Sequence, residues 1–311
     1  MEIIPIGFES FGVRSQATFI QTNDILAIID PSAALAPRRY GLPPHIIEVK
    51  QLLKTFERIE ELVRDAEYII ITHYHYDHHD PARFLDPSIY KGRTLLIKDF
   101  NSNINYSQKR RAHRFLSIVK EFARDVRVVD GASLNVGSTF IRFSTPLPHG
   151  RDARLGYVLS VCIGDGDRVA LFSSDIEGGT SGEHFKLLEF CNPNVAIIDG
   201  PPSYLLNHAF RVDDMKKSIN FLNKFIERNR EALETLVLDH HVFRDLSYTS
   251  FVSLLKPLYR LRIVSAAEFV GREPKPLEAL RRALYKMENR DGLDLLKSST
   301  RLAQYDELEE D

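Results

Sequence analysis

An apolar strand that runs straight into a histidine-rich turn constrains this chain more than any other feature. Tyr68-Ile69-Ile70-Ile71-Thr72 reads as a buried strand, and the next eight residues, His73-Tyr74-His75-Tyr76-Asp77-His78-His79-Asp80, hold four histidines and two aspartates. Residues two apart at an extended strand end point the same way, so His73 and His75 can aim two imidazoles at one point. The chain then turns, and Asp77 and His78 diverge toward a second point nearby. Imidazole and carboxylate suit Zn²⁺ and similar borderline cations, and two such points suggest a two-metal site. A solvated polar loop accounts for a single histidine after a core strand, but poorly for the spacing His-x-His-x-Asp-His.

The rest of the chain reads as alternating strands and helices without internal repeats. At 311 residues it can bury a large core. Thr18–Gln21 and Ile25–Asp30 flank the turn residues Thr22-Asn23-Asp24, the pattern of a hairpin ending in Asp30-Pro31. Ile46, Val49, Leu53, Phe56, Ile59 and Val63 recur at helical spacing, so His45–Arg64 is an amphipathic helix that feeds the motif strand. Thr94–Lys98 is the next strand, Gln108–Arg124 a basic helix, and Val126–Val129 and Thr139–Phe143 short strands that lead to Pro148-His149-Gly150. The alternating run Tyr157–Ile163 and the segment Val169–Ser173 form a second hairpin, ending at Asp175. Val195–Ile198 stops at Asp199, a helix carries Met215, Ile219, Leu222 and Ile226, and the strand Leu236-Val237-Leu238 delivers Asp239-His240-His241. The remainder reads as helical, broken at Pro257 and Pro274, with an acidic tail from Asp306 to Asp311. Each polar cluster follows the C-terminal end of a strand, where site residues collect in layered α/β folds.

Formal net charge is −2, so the molecule as a whole is not an obvious polyanion binder. The two cysteines, Cys162 and Cys191, have neither metal nor redox spacing and read as inert thiols of a reducing compartment. No apolar stretch reaches the length of a membrane span. Glu2 to Phe8 opens in a strand pattern without a signal peptide, which makes a cytoplasmic location the expectation.

In the order and spacing of these motifs, from about Glu2 to Ser250, the chain resembles the metallo-β-lactamase superfamily. Within it, the chain is most similar to a group of mostly archaeal, uncharacterised predicted hydrolases whose first motif also runs on as Asp-His-His. The resemblance implies an α/β fold, the metallo-β-lactamase-like αββα four-layer sandwich. It implies a hydrolase domain over residues 1–270 and a C-terminal helical extension with an acidic tail over 271–311. His73, His75 and His149 would hold a first metal, Asp77, His78 and His240 a second, and Asp175 would bridge them. Ser174 departs from the family pattern, which usually has glycine before the bridging aspartate. Leu236 to Arg244 resembles the corresponding segment of ribonuclease Z, which favours His240 over His241 as the last ligand. Asp30 and Asp199 are candidates to orient ligating imidazoles from behind.

The function that follows is a metal-dependent hydrolase. Two divalent ions, zinc by ligand type with Mn or Fe also accepted, would activate a shared water against an ester-type or phosphodiester bond. Asp77 would orient the attacking water, and His241 or His79 would pass a proton to the leaving group. The partner is a small-molecule or phosphodiester substrate. Nucleic acid is less favoured, since the basic residues Lys109, Arg110, Arg111, Arg114, Lys120 and Arg124 read better as a solvated helix face. A ribonuclease Z-like nuclease and a non-catalytic binding protein on the same fold are the alternatives. The sequence carries no signal for the oligomeric state.

Overall fold

The computed structural model describes residues 1–256 and 259–300. Pro257 and the acidic tail from Asp306 to Asp311 lie outside the described residues. Two mixed sheets face each other. The first contains β1 (Glu2–Pro5), β2 (Thr18–Gln21), β3 (Leu26–Ile29), β4 (Tyr68–Ile71), β5 (Thr94–Ile97) and β6 (Asp125–Val128) in sequential order, antiparallel as far as β3 and parallel beyond it. The later strands are β7 (Ser133–Val136), β8 (Thr139–Phe143), the two-residue pair β9 (Leu147–Pro148) and β10 (Tyr157–Val158), β11 (Val161–Gly164), β12 (Val169–Phe172), β13 (Val195–Asp199), β14 (Thr235–Asp239) and β15 (Arg262–Val264). The second sheet runs β15-β14-β13-β12-β11-β8-β7, parallel from β12 to β15.

Side-chain alternation makes the layers. In β4, Ile69 and Ile71 pack outward against α1 (Ile46–Asp65) and α2 (Tyr106–Val119), while Ile70 packs inward between the sheets. In β13, Val195 and Ile197 face inward, while Ala196 and Ile198 face outward against α3 (Val212–Arg228). Strands buried on both faces read as unbroken apolar runs, which is why Ile69-Ile70-Ile71 and Leu236-Val237-Leu238 lack polar residues. Helix, sheet, sheet and helix stack in that order, giving the αββα sandwich of the metallo-β-lactamase fold. The parallel strands β3–β5 and β12–β14 end along one edge of the sandwich, and the polar segments emerge there.

The structure corrects several local expectations. The basic helix stops at Val119 instead of Arg124, because the chain must turn to enter β6: Ala123 N–H bonds back to Val119 and Arg124 N–H to the Arg93 carbonyl. The run Tyr157–Ile163 is divided, and at the break Leu159 N–H donates to the Thr72 carbonyl, tying the two sheets together beside the histidine turn. β15 is a strand where only helix was expected, its three residues too few to show a period. Cys162 and Cys191 are joined by a disulfide, with Cα atoms 6.6 Å apart, so the argument from two inert thiols to a reducing compartment loses its basis. Among the described residues, no helix is long and apolar enough to cross a membrane.

After α3 the chain forms α4 (Tyr248–Val252), α5 (Ala266–Phe269), α6 (Leu277–Met287) and α7 (Leu293–Ser299). α6 and α7 return to α1. Leu296 is fully buried with Leu52 and Phe56. Arg281, also fully buried, grips both oxygens of Glu48 at 2.8 Å and donates to the Ala36 and Leu42 carbonyls. Glu48 in turn accepts from His45 N–H, closing the capping box of α1. Losing one partner of such a pair strands a buried charge. Arg281→Ala should therefore cost about 3–5 kcal/mol in urea unfolding; a loss below about 1 kcal/mol, the range of an exposed pair, would show that the latch contributes little.

Candidate metal centre

Five strand ends supply the site. β4 ends in the turn from Thr72 to Asp80, β9 delivers His149, β12 Asp175, β13 Asp199 and β14 His240 and His241. His73, His75, His149 and Asp175 offer ligand atoms within 4.8 Å of one another, and so do Asp77, His78, Asp175 and His240. Asp175 belongs to both groups, with one oxygen toward each. Its Oδ2 lies 3.1 Å from His149 Nε2 and 3.6 Å from His73 Nε2. Its Oδ1 lies 3.1 Å from His78 Nε2 and 3.4 Å from His240 Nε2. Asp77 faces only the second group, 3.9 Å from each of His78 and His240. His73 Nε2 and His78 Nε2 are buried without a hydrogen bond, since the approach of His78 to Asp175 lacks hydrogen-bond direction. Buried donors and acceptors are rarely left this way unless something else engages them. A cradle of imidazoles and carboxylates with no thiolate is suited to a divalent cation.

Carboxylates stand behind the imidazoles. His78 Nδ1 bonds to Asp30 at 2.8 Å, and Asp30 also accepts from Thr72 N–H and Oγ1–H. His241 Nδ1 bonds to Asp199 at 2.9 Å, and His240 Nδ1 to Glu9 at 2.7 Å. Such partners fix ring orientation and tautomer. Asp30 and Asp199 stand where the sequence suggested. Glu9 was not foreseen, and at a sequence separation of 231 from His240 no local pattern could reveal it. Gln16 (Nε2 to Asp175 Oδ1, 2.5 Å) was missed for the same reason, and Arg244, although it closes the quoted segment Leu236–Arg244, was not read as part of the site because its partner Glu9 (Nε to Glu9, 2.7 Å) is remote in sequence. Arg244 Nη2 also lies 3.2 Å from His240 Nε2, beside the second group.

Burial and charge divide the protons. Burial, reinforced by neighbouring imidazoles, holds His73 and His75 well below the usual histidine range, leaving them in the neutral form that ligates. Burial opposes charge on His78 and His240 too, but Asp175, with Asp77 and Asp30 beside His78 and Glu9 beside His240, raises both well above it. Asp175 stays ionised despite burial because His78, His240 and His73 surround it. The carboxylates thus demand positive charge, which protons supply on the second group and which a bound cation would replace.

Four residues that contribute to this edge adopt left-handed backbone although none is glycine: Asp30 (φ 48°), Ser174 (φ 56°), Glu177 (φ 47°) and His240 (φ 61°). Ser174 stands where the family pattern usually has glycine, and its φ explains that preference. Its Oγ bonds to Thr72 at 2.7 Å, an anchor that glycine would lack.

A cavity of about 710 Å³ opens over the cluster, lined by His75, Asp77, His149, Asp175, His241 and Arg244 among others. His241 therefore faces the space a substrate would enter. His79 does not: its Nδ1 bonds to the His75 carbonyl, and its ring packs against Tyr74, Tyr76 and Phe115.

No protein-family model matches the chain. It is 46% identical over 293 residues to a UPF0282 protein of Metallosphaera sedula and 45% identical over 294 residues to one of Sulfurisphaera tokodaii, each time covering 93% of this chain and 94% of the relative. The chain belongs to the UPF0282 family. Among solved structures it is similar to the metallo-beta-lactamase fold protein YhfI from Bacillus subtilis (TM-score 0.47, 13% identity, 85% of this chain and 95% of that one). It is also similar to the short form of human tRNase Z (TM-score 0.45, 12% identity, 85% and 96%).

Two substitutions separate the adjacent histidines. His240→Ala should bind one divalent ion fewer than His241→Ala by elemental analysis, and the reverse would exchange their roles. Glu9→Gln should weaken binding of the more loosely held ion by about 10–100-fold; wild-type affinity would show that Glu9 does not orient His240.

Proposed function

We propose that this UPF0282 protein is a metal-dependent hydrolase acting on an ester-type or phosphodiester bond. The observation that carries the reading is Asp175, whose two oxygens face two separate groups of histidines. His73, His75 and His149 would hold one divalent ion, Asp77, His78 and His240 the other, and Asp175 both. The donor set favours zinc and also accepts Mn or Fe. When bound, such ions lower the pKa of coordinated water to about 7 and polarise a carbonyl or phosphoryl oxygen.

The chain's own groups do the rest. Asp77 borders the cavity and accepts a hydrogen bond from the attacking water, which orients it. His241 Nδ1 shares a hydrogen bond with Asp199, leaving Nε2 as the nitrogen that exchanges a proton with the leaving group. Burial disfavours charge on both members of this pair, raising Asp199 well above the carboxylate range and holding His241 well below the imidazole range. His79 does not line the cavity and packs against Tyr74, Tyr76 and Phe115, which favours His241 of the two candidate donors.

A cavity of about 710 Å³ fits a small molecule. The nuclease reading has less support: among the described residues of α2, Arg111 lines the cavity, whereas Lys109, Arg110 and Arg114 do not.

The test is elemental analysis of the purified protein followed by an activity screen across phosphodiesters, lactones and thioesters. About two divalent ions per chain and turnover of one class are expected. Asp175→Ala should lower the metal content and reduce kcat/KM by at least about a hundredfold while the fold survives. Wild-type stoichiometry and turnover in that variant would refute the bridging role.

A further inference from the structure

Three histidines of the cluster have a carboxylate behind the ring: Asp30 for His78, Glu9 for His240 and Asp199 for His241. His149 differs. Its Nε2 lies 3.1 Å from Asp175 Oδ2, while its Nδ1 is buried without a hydrogen bond. A buried polar atom left this way is costly unless something engages it. The carboxylate that faces it is Glu177, whose Oε1 lies 3.7 Å from Nδ1. That is too long for a hydrogen bond, yet within reach of one after a small rotation of the side chain. Among the described residues the Glu177 carboxylate has no hydrogen bond of its own. The two arginines whose charge reaches it are held elsewhere, Arg151 by Asp214 at 3.0 Å and Arg244 by Glu9 at 2.7 Å. The backbone leaves room for the approach. Glu177 N–H donates to Asp199 Oδ2 at 2.8 Å, and the side chain lies over Gly150, the residue after His149. Gly150 has left-handed backbone (φ 73°), and a Cβ there would stand 2.2 Å from Glu177 Oε2 and 2.5 Å from its carboxyl carbon. Glycine in Pro148-His149-Gly150 thus leaves the space that the carboxylate fills.

We propose that Glu177 is a positioning residue for His149, accepting a hydrogen bond from Nδ1 when Nε2 holds a divalent ion. The proposal rests on the reading of His149 as a metal ligand. A neutral imidazole that gives its Nε2 lone pair to a cation carries its proton on Nδ1, so the buried atom becomes an obligate donor. Without an acceptor that donor stays unpaired, and the ion is held more weakly. Glu177 supplies the acceptor, fixing ring orientation and tautomer at the first group of ligands as Glu9 does at the second. What the site requires is an acceptor oxygen rather than a charge, and a carboxamide offers one too.

The test is zinc affinity by chelator competition, with melting temperature measured on the same samples, for the wild-type protein, Glu177→Met, Glu177→Gln and Gly150→Ala. Glu177→Met keeps the length of the side chain without its oxygens, and should weaken one of the two zinc ions by about 10–100-fold while the other is held as before. Glu177→Gln should restore most of that loss. In histidine-labelled, zinc-loaded protein the His149 Nδ1–H resonance should be protected from exchange in the wild type and in Glu177→Gln, and lost in Glu177→Met. Wild-type affinity for both ions in Glu177→Met would overturn the proposal. So would a loss in Glu177→Gln as large as in Glu177→Met, since charge rather than an acceptor would then be the requirement. If Glu177→Met does not fold, Gly150→Ala decides: it keeps the carboxylate but displaces it from His149, so the same ion should be weakened, and unchanged affinity would overturn the positioning role. Zinc held at wild-type strength by every variant would sink this proposal alone, whereas a wild-type protein that binds no zinc would sink the hydrolase reading and the proposal with it.

Discussion

A buried carboxylate that must stay charged organises this molecule. Asp175 is 1% exposed, and an isolated ion at such a depth would be several kcal/mol too costly to keep. It persists because His73, His78, His149 and His240 converge on its two oxygens and Gln16 donates to one of them. Two of those imidazoles, His78 and His240, are held in turn by Asp30 and Glu9, themselves buried, so each of these charges is tolerable only with its neighbour present. Such a network stands or falls together, and single substitutions within it should not be additive.

The sandwich makes that convergence available. Parallel strands of both sheets end along one edge, and the residues just past those ends are released from strand geometry while their Cα positions remain fixed by the ladder. Three of them, Asp30, Ser174 and His240, leave the strand in left-handed backbone that costs roughly 1–2 kcal/mol apiece without glycine. The three apolar layers supply the rigidity that holds such strain in place.

What the sequence made legible was whatever is local. The alternation of strands and helices, the histidine turn and the strand-end carboxylates Asp30 and Asp199 sit in short patterns where period or spacing speaks, whereas the αββα order and the choice of His149, Asp175 and His240 came from the family resemblance of the motif order. What stayed hidden is non-local. Glu9 and Gln16 reach the cluster through tertiary folding, from a 3₁₀ turn and the loop before β2 with no motif of their own, and Arg244, within a quoted segment, is tied to the cluster by the distant Glu9. The direction of a side chain around a turn was equally unreadable: His79 and Asp77 are two residues apart, yet one faces Phe115 and the other the cavity. Arg111 looked like one charge among several on a basic helix, and only the docking of α2 against the β4 turn sets it apart. The Cys162–Cys191 pair spans 29 residues with no framework around it, so composition alone pointed to separate thiols.

The most direct test of the central claim is anomalous diffraction at the zinc edge from crystals of zinc-loaded protein. Two peaks should lie on either side of the Asp175 carboxylate, one among His73, His75 and His149, the other among Asp77, His78 and His240. A single peak away from Asp175, or ordered zinc bound only elsewhere on the molecule, would contradict the account.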